Sequence, residues 1–337
     1  MPAPTRPLHL AAAVDGRGQD ALVPAPVDLA RLAERGALDF VTLDAGPACC
    51  AALAALARVA PATDRIGLVP AVCAAPAEPR HISAAVAALD RISGGRAGWM
   101  AGVAEDGSGG RAAGRRPAAG PAAARWREAG EAAAAVVRLW DDGGGEEAGA
   151  TDRCAGHETL PHPDVRGAPL GAQGHPVTVV RAVAPEAVET AARHADVAIV
   201  RAADRWSAAA AGEDLRARAA ACGRDPDRLL VLAEVAVDLG NAEPPARFGA
   251  EPVLVRDPRH GPTHAGGPGA LADLMGAWHV DGAVDGFHIR PLSPARDLER
   301  LVNGTVPLLQ HRGLLRRFHP GVTLREHLGL PRPAGRR

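Results

Sequence analysis

Short apolar runs rich in Val, Ile, Leu and Ala recur along this chain. Each is followed by a segment whose apolar positions return every three to four residues. The runs predict strands at 9–15, 38–44, 65–74, 98–103, 177–183, 196–202, 229–239 and 286–291. The intervening segments predict helices at 27–36, 51–60, 79–93, 123–141, 185–195, 208–222, 268–281 and 294–313. The strand runs are continuously apolar rather than alternating, as expected where both faces of a parallel sheet are covered. Eight alternations of strand and helix are what a closed (β/α)8 TIM barrel requires, whereas a doubly wound open sheet usually has fewer. Residues 1–337 therefore read as one α/β barrel domain with loop insertions, since such barrels commonly exceed average domain length.

Three stretches interrupt the alternation: 105–122 is rich in Gly, Ala and Arg, 143–172 in Gly, Pro, His and acids, and 240–267 in Pro and Gly. Their compositions read as loops. The clearest unit is 65–100, in which strand, loop, helix, Gly-rich turn and strand follow without interruption. Ile82, Ala85, Val86, Leu89 and Ile92 lie at helical spacing, Pro79 suits a first helical position, and Ser93-Gly94-Gly95 supplies the stop.

A net charge of −1, with arginines scattered among acids, leaves no electrostatic footprint for nucleic acid. Five cysteines without framework spacing fit reduced thiols, and the first residues lack the order of a signal peptide, so a cytoplasmic protein is expected. No run approaches the length of a membrane span. With no Tyr, four Phe and five Trp, any pocket for a flat ring must be mostly aliphatic.

The segment Leu89-Asp90-Arg91-Ile92-Ser93-Gly94-Gly95-Arg96-Ala97-Gly98-Trp99 and the later Asp285-Gly286-Phe287-His288-Ile289-Arg290-Pro291-Leu292 resemble motifs of the luciferase-like, flavin-dependent monooxygenases. The branch is that of the nitrilotriacetate and dibenzothiophene-sulfone monooxygenases. Further similar stretches lie at 31–44, 128–142, 174–200 and 306–333, so the resemblance spans nearly the whole chain. It implies a barrel that takes reduced FMN from a separate flavin reductase, reacts it with oxygen and oxidises a small organic substrate. Self-association is also expected. The deazaflavin F420, used for hydride transfer by the same barrel superfamily, is the alternative cofactor. A barrel that has lost catalysis and serves as a binding or structural subunit is the alternative of another class.

In a barrel, the candidates for chemistry sit at the carboxyl ends of strands: Asp44, Cys73, Met100, Arg181 to Ala184, Arg201 and His288 to Arg290. The resemblance nominates Asp44, Cys73 and Met100 beside the flavin ring, and the turn Arg181, Ala182, Val183 and Ala184 at its phosphate. The chain departs from many relatives there, with Met100 in place of Asn or Gln, Cys73-Ala74-Ala75 in place of Thr or Ser, and Ala182 and Ala184 in place of Gly and Ser. Glu186 puts a negative charge in the first turn of the following helix. Arg181 either pairs with the phosphate or is a solvated loop residue.

Other constellations carry less. Cys154, His157, His162 and Asp164 have metal-compatible donors without a standard zinc spacing, so no metal is expected. Gly16-Arg17-Gly18 lacks the third glycine of a dinucleotide fingerprint, and Gly107 to Gly110 lacks the ending of a phosphate loop. Arg111, Arg115 and Arg116 read as a solvated loop. His81 and Trp126 stand at helix positions able to face inward, and Trp126, Gly130, Ala133, Val137 and Trp140 form one packing stripe. Cys73 has no general base nearby in sequence and reads as a lining thiol.

Overall fold

A computed structural model of the chain describes residues 7–15, 25–45, 49–73, 78–103, 121–141, 171–240 and 254–333. The elements run β1 (His9–Ala13), α1 (Pro26–Arg35), β2 (Phe40–Leu43), α2 (Cys49–Val59), β3 (Gly67–Cys73), α3 (Pro79–Ser93), β4 (Gly98–Gly102) and α4 (Ala122–Asp141). They continue β5 (Val177–Arg181), α5 (Pro185–His194), β6 (Val197–Val200), α6 (Arg205–Ala221), β7 (Leu230–Asp238), β8 (Val255–Asp257), β9 (Gly261–Ala265), α7 (Pro268–Val280) and β10 (Gly286–Pro291). Short helices α8 (Pro294–Arg300), α9 (Val306–His311) and α10 (Leu324–His327) complete the described chain.

Strands β1 to β7 pair in sequence order, each parallel to the next, and β10 closes the ring by pairing with both β7 and β1. The result is a closed eight-stranded parallel barrel. Its interior is filled by Ala11, Phe40, Val69, Met100, Val179, Ile199 and Leu232, one from each of seven strands. Two further apolar layers lie between the strands and the surrounding helices. Leu324, Leu328 and Leu330 belong to the interior cluster and contact it at the end where the strands begin, so the segment around α10 forms the barrel floor. A reciprocal capping box between Thr323 and Glu326 starts that short helix.

The motif around Gly94 explains itself at this floor. Gly94 takes the left-handed conformation (φ 70°) that ends α3. Arg96 then turns into the protein, 4% exposed, and donates to the carbonyls of Ala60, Thr63, Ile66 and Ser93 and to Thr63 Oγ1 at 2.7–3.0 Å. The Asp90 carboxylate, buried beneath, accepts from the Ala97 amide and from Gln173. The most recognisable letters of the chain therefore join helices and strands below the barrel, where no substrate enters.

Four expectations are corrected. The stretch 240–267 is not all loop: β8 and β9 form an antiparallel hairpin there, and β9 extends the sheet by pairing with the protruding end of β7 at Ala236–Asp238. Composition hid it because one strand is three residues long and the other contains Pro262. The helix expected over 294–313 is divided by a wider turn, Leu301–Thr305, in which Val306 donates to Leu301. Pro307, without an amide hydrogen, cannot bond the Asn303 carbonyl, and its ring crowds that turn. Ile92 and His81 are exposed, since α3 buries the face carrying Ile82, Val86 and Leu89. The stripe on α4 does pack, and the Trp140 indole donates to the Ser83 carbonyl. Among the described residues no helix is long and apolar enough to cross a membrane.

Candidate functional site

Alternation along a strand and pairing across it decide which side chains reach the barrel mouth. Met100 pairs with Ala71, both in the interior cluster, and Cys73 stands two residues further along the same face. Cys73 is thus one layer nearer the mouth than Met100. Burial raises the Cys73 thiol's pKa, and the nearby Asp44 carboxylate raises it further, so the thiol stays protonated. The three residues expected beside a ring thus share one side of the mouth, just after β2 and on β3 and β4.

The turn after β5 is divided. Arg181 points into the mouth, whereas Ala182 is buried among Ala187, Ala191 and Ala198 in the strand–helix layer, and Ala184 packs against the same layer. Val183 faces solvent. Of the four residues nominated for a phosphate, only Arg181 presents its side chain to the strand-end space, where it is partly exposed and held by an ion pair. Its guanidinium grips Glu234 on β7, Nε to Oε2 at 2.9 Å and Nη2 to Oε1 at 3.0 Å. Ala74 and Ala75, Arg111, Arg115 and Arg116, and Cys154, His157, His162 and Asp164 lie outside the described residues.

Glu234 is the centre that sequence reasoning missed. Its side chain is 2% exposed, and Arg201 from the end of β6 donates to it through Nη2 at 2.6 Å and Nε at 3.1 Å. Arg290 from β10 adds a longer contact, Nη1 to Oε1 at 3.4 Å. A signal was present in the sequence. A lone carboxylate inside the otherwise apolar run of β7 needs a cation if that strand is buried, and three strand ends nearby in the ring carry arginine. Burial alone would raise the Glu234 pKa, but Arg181, His288, Arg290 and Arg201 together bring it down to about 2.

His288, on β10 beside Glu234, joins the two sides of the mouth. Its Nε2 lies 2.9 Å from Thr42 Oγ1 on β2, and its Nδ1 lies 3.9 Å from Glu234 Oε2 without a hydrogen-bond partner. Burial lowers its pKa to about 4, with Arg181 and Arg290 adding to the effect against Glu234, so the ring is neutral at neutral pH. The facing carboxylate favours the tautomer with its proton on Nδ1, leaving Nε2 to accept from the Thr42 hydroxyl.

Comparison with known proteins agrees with this architecture. The sequence profile of the luciferase-like monooxygenase family matches residues 10–268. Nitrilotriacetate monooxygenase component A of Aminobacter aminovorans is 29% identical, over 83% of this chain and 78% of its own length. The dibenzothiophene-sulfone monooxygenase of Rhodococcus erythropolis is 26% identical over 82% of this chain and 79% of its own. Among solved structures, EDTA monooxygenase from Chelativorans sp. BNC1 superposes with a TM-score of 0.78 at 22% identity, covering 97% of this chain and 99% of that one, a likeness of fold.

Proposed function

The chain belongs to the luciferase-like monooxygenase family, and from that premise we propose that it is a flavin-dependent monooxygenase that receives reduced FMN from a separate reductase. The observation that carries this reading is the family match, which runs from β1 to the start of α7 and so takes in seven of the eight strand ends at the mouth. The nitrilotriacetate relative, named as component A, supports the two-component arrangement.

The residues at the mouth fit such a group. Ala71, Cys73 and Met100 offer a soft, mostly apolar wall for a flat ring, and the unpartnered Nδ1 of His288 is a buried polar atom available to it. Opposite, Arg181 and Arg201 supply cations for a phosphate. When bound, reduced flavin supplies two electrons to dioxygen, so that one oxygen atom enters the substrate and the other leaves as water. The chain's own part is placement and exclusion of water. Met100 closes the barrel interior beneath the mouth, Cys73 would line the ring's site as a neutral thiol, and the Thr42 hydroxyl holds His288 in one orientation.

Anaerobic titration with reduced FMN, oxidised FMN and F420, followed by tryptophan fluorescence, tests the reading. Saturable binding of one reduced FMN per chain, and oxygen uptake once a reductase and NADH are added, is the expected result. Hydride exchange with F420 alone would replace it with the other enzymatic reading. No binding of any of the three would leave a non-catalytic barrel.

A further inference from the structure

Three guanidinium groups and one carboxylate leave a surplus of two positive charges on one side of the mouth, with His288 neutral. The arginines come from β5, β6 and β10, and Glu234 on β7 stands between them, so the four form a continuous arc. Glu234 is buried, yet the side chains of Arg181, Arg201 and Arg290 remain 29%, 31% and 28% exposed. Each is therefore held from below and open above. Among the described residues, their remaining N–H groups meet no protein acceptor.

Like charges gathered this closely repel, and one buried carboxylate does not neutralise them. An oxyanion seated on the outer edges would, and the planar forks of arginine suit the paired oxygens of phosphate or carboxylate. The hairpin adds a second observation. Gly261 opens β9 in the left-handed region (φ 80°), and a Cβ there would come within 2.9 Å of Arg201 Cδ and 3.0 Å of its Nε. The Arg201 stem therefore lies across bare backbone, which fixes where its head points.

We propose that Arg181, Arg201 and Arg290, gathered on Glu234, form a receptor for a doubly charged oxyanion, with the β8–β9 hairpin positioning Arg201 through Gly261. The shared chemistry is that of a phosphate monoester or a dicarboxylate. Its source is either the phosphate end of a bound FMN or an anionic substrate beside it. The receptor follows from the charge arrangement whether or not the chain oxidises anything.

The test uses the full chain, with calorimetry against inorganic phosphate, malonate, FMN and riboflavin at constant ionic strength. The variants are Arg201→Gln, Arg290→Gln and Gly261→Ala, each checked for folding by circular dichroism. The wild type should bind phosphate or malonate saturably, and each arginine variant should weaken that binding roughly tenfold or more, the loss of one hydrogen bond to a charged group. Gly261→Ala, which leaves every charge in place, should weaken it in the same direction. If the preference for FMN over riboflavin collapses in the same variants, the flavin phosphate is the occupant. If that preference survives while malonate binding is lost, the occupant is a separate anionic substrate. Equal binding of phosphate and malonate by wild type and all three variants, or no saturable binding of either with FMN and riboflavin bound alike, overturns the proposal. Absence of oxygen uptake would count against the monooxygenase reading alone.

Discussion

The two ends of this barrel each hold a buried carboxylate in contact with arginine, and they balance it differently. At the floor, Asp39 accepts from the Leu10 amide, faces His9 at 3.1 Å, and pairs with one guanidinium, Arg316, at 2.8 Å. Arg96 nearby makes no ion pair among the described residues and is held by four carbonyls and a hydroxyl. At the mouth, one carboxylate faces three guanidiniums. Asp39 and Arg316 balance one to one and Arg96 is ringed by neutral acceptors, although Nε and Nη2 of Arg316 are buried without a partner. At the mouth, three cations on one anion leave a surplus of two charges, open to solvent, that an anion from outside would offset. The floor network is therefore part of the fold, and the mouth network is a fold element left incomplete for a ligand.

The largest effect should come from the floor. Arg96→Met leaves the carbonyls of Ala60, Thr63, Ile66 and Ser93 buried without that donor, and at 1–3 kcal/mol for each such group the loss should reach about 4 kcal/mol. Arg201→Gln, at the mouth, removes one of three cations competing for one carboxylate and should change stability by less than about 1 kcal/mol. Urea unfolding of the two variants breaks the comparison if their losses are equal.

Asp39→Asn should cost about 3 kcal/mol at neutral pH, since it leaves Arg316 without its counter-charge. Its pH dependence sharpens the point. Burial alone would raise the Asp39 pKa, but Arg316, His9 and the Leu10 amide hold it far below the ordinary 3.8. The folded protein therefore binds this proton later than the unfolded chain, so the stabilisation is complete above pH 3.8 and fades as the pH falls below it. The stability of the wild type and of Asp39→Asn should converge as acid is added, and parallel curves would show that the carboxylate does not carry the floor.

The same contrast explains what the sequence disclosed. All eight barrel strands were legible because a doubly covered parallel strand is an unbroken apolar run, and α3 was legible to the residue because Pro79 and Gly94 mark its ends. The β8–β9 hairpin was not, since its five-residue strand GPTHA is held by hydrogen bonds to β7 rather than by its own propensity. At the site, the strand-end rule nominated Asp44, Cys73, Met100, Arg181 to Ala184, Arg201 and His288 to Arg290. It missed Glu234, which lies in the middle of β7, four residues before the strand ends. Ala182 and Ala184 turn into the strand–helix layer, since chain order does not say which face a residue takes once a strand turns into a helix. The family motif drew the eye to Arg96, which is structural, while the cationic arc is spread over four strands without any contiguous signature.

The smallest effect concerns His288, whose environment both halves of the mouth share. Its folded pKa of about 4 lies below the ordinary 6.5, so between these values the unfolded chain binds more protons and stability rises with pH. Over that window His288→Gln should remove part of the slope, about 1 kcal/mol at pH 5.5, while His175, His194, His264, His319 and His327, lowered in the same direction, contribute equally to both proteins. Burial supplies most of the lowering, but Arg181 and Arg290 supply some, against Glu234. Sulfate stays doubly charged throughout this window, and seated on the arginines it would offset their field and raise the His288 pKa. Chemical denaturation between pH 4.5 and 7 should therefore show a shallower slope in sulfate than in chloride at equal ionic strength, and the difference should be smaller in Arg290→Gln. Should sulfate leave the wild-type slope unchanged while His288→Gln flattens it, His288 responds to burial alone and the arginine arc does not gather an anion within its reach.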